Sequence, residues 1–156
     1  MPVLQALAER YGYTDLAVAY PEIEIPVLTG AQRQGDVLVL PSALPAKWPR
    51  RGPQPVNGVV VADSDISDHT HTLYGDGEVL LVEGMSYQRA RWWWTARNLV
   101  AWLTVPPGGE AYLMHSEEHG ALGIGPGTYQ IRRQMEYAGY WLDWASPDSG
   151  WVTVAD

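Results

Sequence analysis

Four histidines in two short pairs are the clearest chemical signal in this sequence. His69 and His71 lie two residues apart in an alternating stretch, so on a strand their side chains share one face. His115 and His119 lie four residues apart, a spacing that shares a face on a strand end or on a helical turn. Neutral imidazoles suit zinc, iron, manganese or nickel, and three protein ligands with an open position would suit catalysis. If the two pairs converge, they predict a site for one divalent transition metal.

Two glutamates lie between the histidines of the second pair. Glu118 would serve such a site as a metal ligand or a general base, and Glu117 would join the same face on an extended segment. Residues 115–119 also fit the zinc-protease pattern H-x-x-E-H. The glycines that follow from Gly120 argue against the long helix that this pattern needs. The alternative interpretation is that the histidines are partly exposed strand and turn residues with local hydrogen bonds.

A run of tryptophans flanked by arginines is the second signal. Consecutive strand residues alternate between faces, so at least one ring of Trp92, Trp93 and Trp94 should be exposed or contact a partner. Exposed Trp, Tyr and Arg anchor many protein interfaces. The alternative is that two aromatic groups pack on each other as a small separate core, with arginines stacked on the rings. The predicted interface residues are Arg89, Arg91, Trp92, Trp93, Trp94, Tyr140, Trp141 and Trp144.

The elements that must position these residues are mostly strands. The stretch 68–84 alternates, turns at 75–77 and continues in β-forming residues, which predicts a β-hairpin. Residues 1–12 have the apolar spacing of a short helix, with Gly12 as its cap. Many short strands separated by Gly/Pro turns predict an all-β sandwich or small barrel, with a jelly-roll or cupin-like arrangement as one form. The other predicted strands include 22–25, 35–41, 59–62, 99–105, 111–114, 120–124, 128–132 and 151–154.

Composition indicates one folded globular domain over 1–156, in which 85–98 and 137–149 are Trp-rich insertions. The chain has 46% hydrophobic and 18% charged residues, which is typical of a globular protein. Cysteine is absent, which excludes disulfides and Cys-ligated zinc. The formal net charge of −8 disfavours nucleic acid as a partner, and no apolar run reaches the roughly 18 residues of a membrane span. We therefore expect a cytoplasmic protein, or a virion-associated one if it is phage-encoded, with no nucleic-acid or membrane partner.

Part of the sequence loosely resembles the cupins. Their first motif is H-x-H followed by a glutamate and a glycine, an order that His69-Thr70-His71, Glu78 and Gly84 follow with a longer gap. The second cupin motif is not reproduced. The resemblance implies metal ligands at His69 and His71, with His115 or His119.

A closer resemblance covers most of the chain. The segments 35–41 (GDVLVLP), 71–73 (HTL), 118–120 (EHG) and 126–134 (PGTYQIRRQ) look like a family of small uncharacterised actinobacterial and phage-associated proteins. The resemblance implies an intracellular bacterial or viral setting and draws attention to His71 and His119.

Two functions follow as hypotheses. The first is a non-enzymatic binding or assembly module, an acidic β domain that presents Trp and Arg surface to a protein partner or to copies of itself. The second is a cupin-like metal-binding protein or metalloenzyme that uses the two histidine pairs. The only cofactor that the sequence suggests is one divalent transition metal.

Overall fold

Strands dominate the computed structural model, which describes residues 1–12, 20–44, 52–63, 70–82, 99–115, 120–137 and 151–153. Within these ranges the chain forms one helix and thirteen strands. Their bounds are α1 Leu4–Tyr11, β1 Val27–Leu28, β2 Gln32–Gln34, β3 Val37–Pro41, β4 Gln54–Pro55, β5 Val59–Asp63, β6 Thr70–Gly75, β7 Glu78–Leu81, β8 Leu99–Val105, β9 Ala111–His115, β10 Ala121–Ile124, β11 Gly127–Arg133, β12 Met135–Tyr137 and β13 Trp151–Thr153.

Two sheets carry most of these strands. One sheet has five strands in the order β1-β10-β9-β6-β5, and the other has six in the order β2-β3-β11-β8-β7-β4. Strands β12 and β13 pair separately. Neighbouring strands are antiparallel except β1 and β10, which are parallel. The described strands do not close into a barrel, so the predicted all-β fold is confirmed in its sandwich form.

The main hydrophobic core lies between the two sheets. Alternate residues of a strand point to opposite faces, and most inward-facing residues of the long strands are apolar and buried. Leu113 and Leu73 of the five-stranded sheet share this core with Leu103 and Ile131 of the other sheet. Burial of each such side chain contributes about 1.5–3 kcal/mol. The core therefore fixes which face of β6 and β9 points inward.

Helix α1 covers the outer face of the five-stranded sheet. Leu4 and Leu7 pack with Tyr112 and Met114 of β9 in a second hydrophobic cluster. The first helical N–H groups are satisfied without a side-chain cap, because the backbone N–H of Leu4 donates to the carbonyl of residue 23 over 2.8 Å. Gly12 ends the helix with a φ of 76°, a conformation that glycine adopts readily. The predicted N-terminal helix is confirmed.

The predicted β-hairpin over 68–84 is wrong. Both of its strands exist, but β6 belongs to the five-stranded sheet and β7 to the six-stranded sheet. The chain crosses between the sheets at Gly75-Asp76-Gly77, and β8–β9 and β10–β11 cross in the same way at their own turns. Each strand has a buried residue in the core between the sheets, Leu73 in β6 and Val79 in β7, so each can supply an inward face to a different sheet. Alternation predicts a strand and its buried face, but it does not identify the neighbouring strand.

The strand predicted at 22–25 is also displaced. Only an isolated bridge joins Glu24 to Val3, and the regular pairing in this region belongs to β1 at Val27–Leu28. Residues 22–24 are exposed, so their alternation does not match a buried sheet face. Within the described residues no helix has the length and apolar character that crossing a membrane requires.

Candidate functional site

The two histidine pairs predicted from the sequence each contribute one residue to the same place. His71 of β6 and His115 of β9 are directly opposite in the antiparallel register. Their ring centroids are 4.1 Å apart, with the ring planes tilted by 54°. Each histidine is two residues from an inward-facing leucine of its strand, Leu73 or Leu113, so its side chain also points inward. The exposed fractions of His71 and His115 are 2% and 0%. The imidazoles therefore lie inside one end of the sandwich and not on its surface.

Gln34, on the edge strand β2 of the opposite sheet, connects to both histidine strands. Its amide Nε2 donates to the carbonyl of Leu113 over 3.0 Å and to the carbonyl of Gly120 over 3.2 Å. Its Oε1 lies 3.0 Å from Nδ1 of His71. The Gly120 carbonyl also accepts from the backbone N–H of His115. This one buried side chain thus ties β2 to the ends of β6 and β9.

Asp36 and Arg133 add a partly buried ion pair beside the histidines. Arg133, the last residue of β11, donates from Nε over 3.2 Å and from Nη2 over 2.9 Å to Oδ2 of Asp36. The other oxygen, Oδ1, lies 3.4 Å from Nε2 of His71. Asp36 is 3% exposed and occupies the turn between β2 and β3, where its own carbonyl accepts from the backbone N–H of Gln134.

These side chains form one group, here named the polar cluster. A buried carboxylate and buried imidazoles are costly unless hydrogen bonds and opposite charges compensate them. Here the compensation crosses from one sheet to the other, so the group joins the sheets where apolar packing ends. The polar cluster consists of Gln34, Asp36, His71, His115 and Arg133.

Sequence reasoning identified only the two histidines of this group. Asp36 and Arg133 lie in segments quoted above for a family resemblance, but nothing in their local sequence marks them as partners. Apart from its position just before Gly35, nothing in the sequence indicated a role for Gln34. His69, Glu118 and His119, the other predicted ligands, lie outside the described residues. Among the described side chains, no three His, Asp or Glu residues are already arranged to hold one metal ion.

The predicted interface residues cannot be located on this fold, because all of them lie outside the described residues. They are Arg89, Arg91, Trp92, Trp93, Trp94, Tyr140, Trp141 and Trp144.

Comparison with known proteins identifies the family through the segment that holds the polar cluster. The model of a domain of unknown function (DUF8820) matches residues 33–134. The chain belongs to the DUF8820 family. No curated protein and no solved structure matches the chain. The DUF8820 segment contains all of the polar cluster, whereas α1 and β1 precede it.

A tyrosine group lies where α1 meets the DUF8820 segment. Tyr112 of β9 donates its hydroxyl proton to the Glu110 carboxylate. Burial raises the pKa of Tyr112, and the hydrogen bond to Glu110 and its negative charge raise it further. Tyr11 of the helix stacks on Tyr74 of β6 with ring centroids 4.6 Å apart. This group attaches the helix to the sheet and keeps Tyr112 protonated, which suits packing better than nucleophilic chemistry.

Proposed function

We propose that the protein is a non-enzymatic binding or assembly module that associates with copies of itself or with a protein partner. The observation that carries this proposal is a run of exposed apolar side chains beside a sheet edge. Tyr20 is 67% exposed, and Ile23 and Leu28 are each 47% exposed. These three residues lie within nine consecutive positions of the chain, and exposed large apolar side chains are typical of interaction surfaces.

The edge strand β1 gives this surface a means of association. In the described part of the sheet, β1 is the last strand and pairs only with β10. An open edge presents backbone N–H and C=O groups to which another strand can bind. Leu28 lies on β1 itself, so strand pairing and apolar contact would occur at the same place.

The burial of the histidines supports the non-enzymatic part of the proposal. His71 and His115 face the sandwich interior and contact polar groups of both sheets, so their interactions stabilise the packing of the sheets. The Trp and Arg residues at 89–94 and 140–144 stay predicted contact residues of the same module. A phage or a multimeric bacterial assembly is the setting that the sequence resemblance implies.

The molar mass in solution tests self-association. We expect light scattering coupled to size-exclusion chromatography to show a mass that rises with protein concentration. The double variant Ile23→Ser/Leu28→Ser should reduce this rise. Val60→Ser is the matched control, because Val60 is an equally exposed apolar residue on β5 at the opposite edge of the sheet. A monomeric mass for the wild-type protein at every concentration would contradict self-association.

A second candidate function is metal binding of the cupin-like kind. The opposition of His71 and His115 favours it, because convergence of the two histidine pairs is what a shared ion requires. The catalytic form of this candidate depends on Glu117 or Glu118, which lie outside the described residues. Metal content by inductively coupled plasma mass spectrometry tests it. About one ion per chain in untagged protein, absent from the His71→Ala/His119→Ala variant, is the supporting result.

A further inference from the structure

The turn between β4 and β5 contains the dipeptide Asn57-Gly58. The chain has two asparagines, and only Asn57 precedes a glycine. Asn57 is exposed, and Gly58 has a φ of 75°, which glycine adopts readily. Because glycine has no side chain, its backbone nitrogen can approach the side-chain amide of the preceding residue closely. Asn-Gly is therefore the dipeptide in which asparagine deamidates most readily.

Deamidation at this turn needs only water and a solvent base. The backbone nitrogen of Gly58 gives its proton to the base and attacks the side-chain carbonyl carbon of Asn57. A new C–N bond closes a cyclic imide, the bond from that carbon to the side-chain nitrogen breaks, and this nitrogen leaves as ammonia. Water then adds to either imide carbonyl and breaks its bond to the Gly58 nitrogen, which regains a proton. The product is aspartate, or isoaspartate, in which the backbone is longer by a carbon atom.

The fold holds the proton that this reaction must remove. The backbone N–H of Gly58 donates to the carbonyl of Leu73 over 2.9 Å and to the carbonyl of Val56 over 3.1 Å. The bond to Leu73 continues the ladder of β5 and β6, in which Val59 pairs with Leu73. A hydrogen-bonded amide of this kind becomes available to base only when the strand opens locally. Asn57 is therefore protected while the start of β5 stays on β6.

We infer that Asn57 is a self-modification site whose reaction is controlled by the fold. Asn57 deamidates when the start of β5 separates from β6, and the isoaspartate product keeps the two strands from pairing there again. The inference is independent of the proposed function, because the reaction needs no partner and no metal ion. Since the loss of ammonia is irreversible, the modified fraction rises with the time that the protein spends in the open state.

The product changes a turn that is held on both sides. On one side Val56 is buried in the main core, and its N–H donates to the carbonyl of Gly77 over 3.3 Å. On the other side Gly58 is bonded to Leu73. Strand β4 belongs to the six-stranded sheet and β5 to the five-stranded sheet, so this short turn joins the two sheets. A backbone longer by a carbon atom, with an added carboxylate, does not fit between these two attachments.

Peptide mapping by mass spectrometry after incubation at mildly alkaline pH tests the inference. We expect the folded full-length protein to deamidate at position 57 at least about tenfold more slowly than the same chain unfolded in urea, because only the open state reacts. Val56→Ala loosens the turn and should raise the rate in the folded protein. Val37→Ala is the matched control, because Val37 is equally buried but pairs with Arg133 at the end of the sandwich that holds the polar cluster. This control should not raise the rate.

Three results would overturn the inference. Equal rates in the folded and the unfolded protein would show that the hydrogen bonds of Gly58 do not restrain the reaction. An equal rise for both valine variants would show that Asn57 reacts only from the globally unfolded chain. Should Val56→Ala not fold, amide hydrogen exchange of the wild type decides: low urea concentrations should accelerate exchange at Gly58 and deamidation together, and deamidation that accelerates alone contradicts the inference. The isoaspartate form, separated by ion exchange through its added charge, should exchange the amides at the start of β5 faster than the unmodified protein, and unchanged exchange is the third contrary result.

Discussion

The two ends of the β6–β9 ladder are closed in different ways. At one end Gly75 pairs with Ala111, and at the other His71 pairs with His115. Gly75 has a φ of 108°, and a Cβ there would lie 2.4 Å from the Glu110 carbonyl oxygen. Backbone therefore packs directly on backbone at the glycine end, whereas buried polar side chains connect the sheets at the histidine end.

The two ends of this strand pair therefore have different structural requirements. The glycine end carries the chain between sheets through short turns, so it needs residues without side chains. The histidine end has the polar cluster in its interior, so it needs particular side chains at particular distances. We expect the glycine end to tolerate changes of charge that the histidine end does not tolerate.

The largest effect is expected at the glycine end. Gly75→Ala should lower the free energy of unfolding by about 4 kcal/mol, because a positive φ and a close backbone contact both penalise a side chain. Gly108→Ala is the matched control, since Gly108 also has a positive φ but a Cβ there would have no atom within 4 Å of it. The control should lose about 1 kcal/mol. If urea denaturation shows equal losses for the two variants, the close backbone contact at Gly75 does not contribute to the stability of this end.

The next effect compares one aspartate from each end. Asp36→Ala should lower the free energy of unfolding by about 3 kcal/mol, because it leaves Arg133 and His71 without their buried acidic partner. Asp76→Ala at the glycine end removes a single hydrogen bond from an exposed loop and should cost about 1 kcal/mol. Chemical denaturation of both variants measures the difference. A greater loss of unfolding free energy for Asp76→Ala than for Asp36→Ala would contradict the proposed difference between the two ends.

A third test uses two glutamines of the same strand, β2. Gln34→Ala should cost about 2 kcal/mol, because it removes the side-chain hydrogen bonds to the carbonyls of Leu113 and Gly120 and to Nδ1 of His71. Gln32→Ala removes a partly exposed bond to the Gly123 carbonyl and should cost about 0.5 kcal/mol. Amide hydrogen exchange at His115 should accelerate in the Gln34 variant and not in the Gln32 variant. Unchanged exchange in both would mean that Gln34 does not stabilise the histidine end.

The smallest effect concerns Tyr112, which pairs with Tyr74 next to the glycine end. Its raised pKa means that the folded state favours the protonated phenol. The stability from this preference is complete below the ordinary tyrosine pKa of about 10 and is lost as the pH rises above it. Tyr112→Phe should cost about 1 kcal/mol at neutral pH and should be less sensitive to alkali. Tyr20→Phe, a change of an exposed tyrosine, should retain the alkaline sensitivity of the wild type in thermal melts.

Much of the fold could be predicted from the sequence. Helix α1, strand β3 and the strands on either side of the turn at 75–77 follow from apolar periods and glycine positions, which are local. The inward direction of His71 and His115 also follows from alternation with Leu73 and Leu113. The hairpin over 68–84 and the strand at 22–25 were predicted wrongly, because strand pairing depends on residues far away in the chain.

The candidate site was predictable only in part for the same reason. The two histidines were noticed because the chain has few of them and because their spacing suits a common face. Asp36 is 97 residues from Arg133, and Gln34 is 37 residues from His71. No local pattern connects residues at such separations.

The sequence by itself determined the strands, their buried faces and the histidines that could do chemistry, since these depend on side-chain type and local period. Only the tertiary structure decided that His71 faces His115 and that a glutamine, an aspartate and an arginine surround them. The physical reason is that sheet order brings distant segments together, and the cost of burying charge makes their polar side chains satisfy one another.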